Sequence, residues 1–260
     1  MIYFTTEQLF GIISHFLFPL ARILGLIAVE PTLSNKSIPK KVKLGLAVLL
    51  SIVIAPLVEV PLEIEPASAI GLLVFVQQIM IGLILGFSIR IVFIGFEMAG
   101  NIIGYQMGLG FANFFDPQNS AQTPVISQFM GLIILLLFLS VNGHLMMISA
   151  LVESFKVMPI APDTIHAVQF KNLALWGEEI FRIGVNLSLP IIAVLLVTNV
   201  ALGVLSRAAP QLNLFSVGFG ITLILGFAAL YVLFPYMQPL LVRLFEQGVG
   251  QGLVFLRNIQ

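Results

Sequence analysis

Apolar residues run almost unbroken through six stretches of the chain, at roughly 9–29, 44–58, 67–95, 125–151, 183–205 and 212–235. Crossing the hydrocarbon core of a bilayer takes about 20 helical residues at 1.5 Å of rise each. The 44–58 run is short and Pro56 closes it early, so its ends need flanking residues or burial in protein. The short alternating segments that build membrane strands are missing from the pattern. It therefore predicts an all-α chain of about six hydrophobic helices, taken as one all-helical unit over 1–260.

Two intervals break this rhythm: 96–124, rich in Gly, Asn, Gln and Phe, and 152–182, which holds charges of both signs and the single tryptophan, Trp176. In the second, Glu178 and Glu179 precede Arg182 at helical ion-pair spacing. A short tail at 243–260 carries Arg243, Glu246 and Arg257 on a glycine-spaced apolar stretch.

Composition turns the pattern into a membrane assignment. Of 260 residues, 59% are hydrophobic and 9% charged, against about 25% charged in soluble domains. A mean hydropathy of +1.08 leaves no room for a sizeable soluble domain. The net charge is zero, so no field draws nucleic acid or an acidic substrate. Absence of cysteine excludes disulfides and thiolate chemistry. Glu7 precedes any basic residue, and the following run contains His15 and Arg22 without a small-x-small site; this segment is expected to be retained as the first helix. Lys36, Lys40, Lys41 and Lys43 lie between the first two runs, and Glu59, Glu63 and Glu65 between the second and third. The positive-inside rule places the lysine loop in the cytoplasm and the glutamate loop outside. Simple alternation then leaves both termini outside.

Three constellations carry candidate chemistry. Gly82 and Gly86 are four residues apart, and Gly100, Gly104 and Gly108 repeat that spacing, which aligns glycines on one helix face for close backbone approach. That approach serves either packing within the chain or contact with a neighbouring subunit. Second, Gly108, Gly110, Phe111, Phe114, Phe115 and Asp116 crowd aromatic side chains onto a helix break before Pro117. Irregular backbone at membrane depth must be buried in protein or line a cavity, and apolar constrictions close pores by dewetting. The alternative is an amphipathic connector whose phenylalanines dip into the interface. Third, Gln8, His15 and Arg22 recur every seven residues along the first run, while Gln77, Gln78 and Arg90 lie in the third, followed by Glu97. Ionisable groups in a span suggest either a relay or a structural hydrogen bond to another helix; no acid lies deep in a run, which disfavours a proton-coupled carrier.

Signals of an enzyme are missing. His15, His144 and His166 fall in separate segments with no His-x-x-x-His pair, and neither a Gly-x-Ser-x-Gly elbow nor a P-loop occurs. No cofactor or metal is expected.

The later half of the chain is distinctive. Gly203 to Phe215, reading GVLSRAAPQLNLF and followed by Gly218 and Gly220, resembles the signature of the FliR family of flagellar biosynthesis proteins, which includes counterparts in virulence type III secretion. Asn142-Gly143-His144, the neighbourhood of Trp176-Gly177-Glu178 and the loop Phe111–Gln118 are similar to the same family. The resemblance implies a core subunit of the type III export gate, built of helical hairpins and assembled with several copies of FliP and FliQ into a helical, conical pore complex. It implies a bacterial inner-membrane location at the flagellar basal body, with part of the assembly toward the periplasm. Unfolded secreted proteins would pass along the axis after delivery by FlhA, FlhB and the export ATPase. It also implies a pore plug at 108–124 and an assembly joint at the polar break 206–213, where Arg207, Pro210, Gln211 and Asn213 join Gly100 and Gly104 as candidate assembly contacts. The rival reading is a stand-alone transporter or channel for small solutes or ions.

Overall fold

A computed structural model describes residues 6–61, 64–111, 124–162, 167–209 and 214–257. All regular structure among them is helical: α1 (Thr6–Val29), α2 (Lys40–Ile54), α3 (Ala69–Gln106), α4 (Val125–Ser140), α5 (Gly143–Val157), α6 (Ala167–Trp176), α7 (Glu178–Ala208) and α8 (Leu214–Arg257), with short 3-10 turns at Ala55–Leu57 and Leu109–Phe111. The all-α expectation holds. Four segments are long and apolar enough to cross a membrane, or five if the bent pair α4 and α5 forms one span.

Three run boundaries move. The run at 125–151 is not one helix; α4 ends at Ser140 and α5 begins at Gly143. Asn142 causes this by adopting φ 57°, the left-handed region that asparagine tolerates better than most side chains. Its carbonyl then accepts from Leu145 and Met146 to start α5. Conversely, α3 continues past the third run to Gln106, and α8 continues through Pro235 and Pro239 to Arg257. The polar positions in 96–106 and 243–257 therefore sit on helix faces. α2, at 15 residues, stays too short to span.

The chain divides into two compact units. The first comprises Met1–Ile91, Asn142–Gly177 and Phe245–Gln260. In it α1 and α3 cross backbone to backbone: a Cβ on Gly82 would strike Arg22 O and Leu26 N, and one on Gly25 would strike the Ile79 backbone. Trp176 Nε1 donates to Ser88 O at 3.1 Å, and its ring meets Phe255 edge-on at 6.5 Å, tying α6 and the end of α8 to α3. Ser51 Oγ donates to Phe16 O at 3.0 Å and fixes α2 on α1.

The second unit comprises Val92–Val141 and Glu178–Leu244. Its centre is the later half of α3. Gly95 faces Ile183, Gly184 faces Met98, and Phe93 meets Phe138 edge-on at 5.5 Å. Arg182 pairs with Glu179 at 2.8 Å and with Glu178 at 3.4 Å, as the spacing predicts.

Candidate functional site

Arg22 is the largest fully buried side chain of the described residues. Its guanidinium lies within the first unit, between α1, α3 and α5. Nε donates to Gln78 Oε1 at 2.8 Å; Nη2 reaches the same oxygen at 2.5 Å and Met158 O at 2.8 Å; Nη1 donates to Ser154 Oγ at 3.1 Å. The Phe155 ring centroid lies 4.0 Å from Cζ. No carboxylate of the described residues takes part. The positive charge is met instead by an amide oxygen, an aromatic face and a carbonyl at the C-terminal, negative end of α5. A planar fork with five donors suits this dispersed set of acceptors, and an ammonium does not.

The rest of the polar stripe is held locally. His15 Nδ1 contacts Gly11 O one turn earlier at 3.0 Å, and the side chain of Gln8 lies outside the described residues. Arg90 Nη1 donates to Ser34 Oγ at 3.1 Å and Val29 O at 3.3 Å, capping α1. Glu30, which the run pattern does not single out because it falls one residue beyond α1, is fully buried. Its two oxygens accept from Thr32 and Leu33, closing the turn after the helix. These groups form fixed structural bonds rather than a chain of exchangeable ones. His144 Nδ1 and Asn101 Oδ1 are buried without a partner among the described residues.

The loop after α3 has a fixed root. Met107 is fully buried, its carbonyl accepts from Thr222 Oγ1 at 3.2 Å, and the bare face of Gly226 packs on its side chain. Gly108 then takes φ 87°, where only glycine is unstrained, and a 3-10 turn follows at Leu109–Phe111. Gly110 sits against the Tyr105 ring. Phe114, Phe115 and Asp116, and the side chain of Phe111, lie outside the described residues. Sequence reasoning singled out the loop but not its anchor, whose only signals are one hydroxyl and one glycine in the last run.

Of the candidate assembly contacts, Gly100 and Gly104 turn their bare faces to α4 of the same chain. A Cβ on Gly100 would come within 2.7 Å of Ser127 Cα, and one on Gly104 would touch Ile126 at 3.5 Å. That is the packing alternative of the two stated above. Arg207 is exposed in the last turn of α7, and no described carboxylate pairs with it. Pro210, Gln211 and Asn213 lie outside the described residues. Along the two helices, α7 leaves Val197, Val200 and Val204 exposed, and α8 leaves Ile224, Val232 and Tyr236 exposed. An apolar groove of about 490 Å³ runs between the two helices, lined by Pro190, Val194, Leu225, Ala229 and Tyr236. Such a surface repels water and suits lipid or another apolar helix.

Residues 13–248 match the family described as bacterial export proteins, family 1. The chain is 42% identical to the flagellar biosynthetic protein FliR of Escherichia coli K12, over 95% of this chain and 94% of that protein. It is 37% identical to FliR of Buchnera aphidicola from Acyrthosiphon pisum, over 99% and 98% of the two chains. Against FliR of Bacillus subtilis the identity is 30%, over 84% and 85%. With the match running from the first helix into the last and the all-helical apolar fold beneath it, this chain belongs to family 1 of the bacterial export proteins.

Proposed function

We propose that this subunit of the flagellar export apparatus forms part of the wall and the apolar closure of a protein-conducting gate. The observation that carries the reading is the near full-length match to the export family and its FliR members. In this proposal the chain works as a scaffold with FliP and FliQ, next to FlhA and FlhB, in the bacterial inner membrane at the basal body. Unfolded secreted proteins are the cargo. No chemical group is transferred and no cofactor is held.

Helix length supports a setting beyond simple lipid crossing. α3 has 38 residues and no proline, which gives about 57 Å along its axis against a hydrocarbon core of about 30 Å. Fitting it by tilt alone requires about 58°, outside the range of roughly 0–40° that spans adopt. Part of this apolar helix must therefore be covered by something other than one bilayer core. Its own chain covers much of it, and the exposed apolar faces of α7 and α8 are available to neighbouring subunits and lipid. The exposed Arg207, with no described carboxylate paired to it, suits a carboxylate or helix C-terminus of such a neighbour. The stand-alone transporter is not favoured, since the near full-length match is to export proteins and both Arg22 and Arg90 are held by hydrogen bonds within the chain.

The closure is assigned to 108–124, with Gly108 and Gly110 giving the backbone its turn and Phe111, Phe114 and Phe115 supplying apolar bulk beside Asp116. Replacing the three phenylalanines with alanine in the assembled complex is expected to turn a closed gate into one that leaks ions, measured as conductance across a planar bilayer. Unchanged conductance in a fully assembled complex would remove the plug assignment.

A further inference from the structure

α2 presents an unusual combination of charge and apolar surface. Its inward side is Ala47, Ser51 and Ile54, the side packed on α1. Its outward side is apolar throughout: Val42, Leu49, Ile52 and Val53 are 57–66% exposed, and Leu57 in the following turn is 69% exposed. All the charge is gathered at one end. Lys36, Lys40 and Lys41 are exposed, and Lys43 Nζ donates to Asn35 O at 2.9 Å. No acidic residue lies in the first turn of α2. The nearest acid before the cluster, Glu30, is buried and occupied by Thr32 and Leu33. The lysines thus add their charge to the positive end of the helix dipole with no counter-ion among the described residues.

We propose that this end of α2 holds the headgroups of anionic phospholipids, with the outward face of the helix seated in the acyl chains beneath them. Water would solvate the lysines but not the face above which they stand. A soluble acidic partner would neutralise the lysines and leave the apolar face uncovered. An anionic leaflet supplies both chemistries in the right order, phosphate at the lysine end and hydrocarbon along the helix. The helix is about 22 Å long, shorter than the hydrocarbon core, so lysine stems reaching along the interface extend it to the headgroups. A positive-inside orientation needs these lysines only during insertion; bound lipid in the finished protein is a separate and stronger requirement. The inference does not rest on the gate reading, because it concerns only the first unit.

The test uses the full chain with its co-purifying subunits in mild detergent, offered phosphatidylglycerol or phosphatidylcholine, with retained lipids counted by native mass spectrometry. The unaltered protein is expected to retain phosphatidylglycerol in preference. Replacing Lys36, Lys40 and Lys41 with glutamine, and sparing the hydrogen-bonded Lys43, should lower that preference about fivefold per lysine, or roughly a hundredfold in all. The matching arginine variant should keep it, which separates loss of charge from loss of fold. Equal retention of the two lipids, an unchanged preference in the glutamine variant, or loss of a bound protein with lipid retention intact would each overturn the proposal.

Discussion

Arg22→Ala is expected to destabilise the chain by about 3–5 kcal/mol, from several buried acceptors left without donors together with the cavity the side chain vacates. The substitution strips the donors from Gln78 Oε1, Ser154 Oγ and Met158 O together, and opens a cavity beside Phe155 where the guanidinium lies. Each orphaned acceptor and each lost contact adds to the cost. For a chain of this size the apparent melting temperature of the detergent-solubilised protein should fall on the order of 10 °C. Arg22→Lys keeps the charge but cannot donate to all three partners at once, so it should recover only part of the loss. The informative comparison is Arg22→Met with Gln78→Leu. Gln78→Leu alone leaves a buried cation without its main acceptor, whereas the double variant removes both partners and should cost less than the two single changes added. An Arg22→Ala protein that melts within about 2 °C of the unaltered chain would show the network to be dispensable.

Gly82→Val is the second large effect. The new Cβ would meet the carbonyl of Arg22 and the amide of Leu26, both backbone atoms that no rotamer change can move aside. Overpacking costs roughly 1–3 kcal/mol where side chains can yield; here α1 and α3 must separate, so the cost belongs at or above the upper end. That separation also pulls Arg22 away from Gln78, and the two losses should not be independent. Gly45 is the control, since nothing lies within 4 Å of its bare face. Gly45→Ala should be neutral or stabilising by up to about 1 kcal/mol through helix propensity. Hydrogen exchange read along α1 separates the cases: faster exchange there in Gly82→Val and not in Gly45→Ala supports the crossing, and equal behaviour would contradict it.

How much of this could be read from residues alone differs from place to place. The helices were legible because long apolar stretches carry their own signal. Their ends were less so: Asn142 splits an unbroken apolar run by a single left-handed residue, while polar positions at 96–106 do not end α3 because their neighbours keep helical spacing. The seven-residue recurrence of His15 and Arg22 correctly marked one helix face, and the structural reading of Arg22 holds. Its partners were not legible, because Gln78, Ser154 and Met158 are brought together only by the crossing of α1 with α3 and the turn at Asn142. The spacing of Gly100 and Gly104 announced a close contact but could not say with what; α4 of the same chain supplies it. Likewise the loop beginning at Gly108 was visible in its glycines and phenylalanines, but its anchoring through Met107, Thr222 and Gly226 depends on a contact across more than a hundred residues.

The central claim is that this chain works as a built-in part of a larger export gate, not as a transporter by itself. The most direct test is the mass and subunit composition of the particle that carries it when native membranes are extracted in mild detergent. The account predicts a particle well above the 28.4 kDa of one chain, containing other export subunits in fixed ratio. A monodisperse single chain that transports a solute once reconstituted would contradict it.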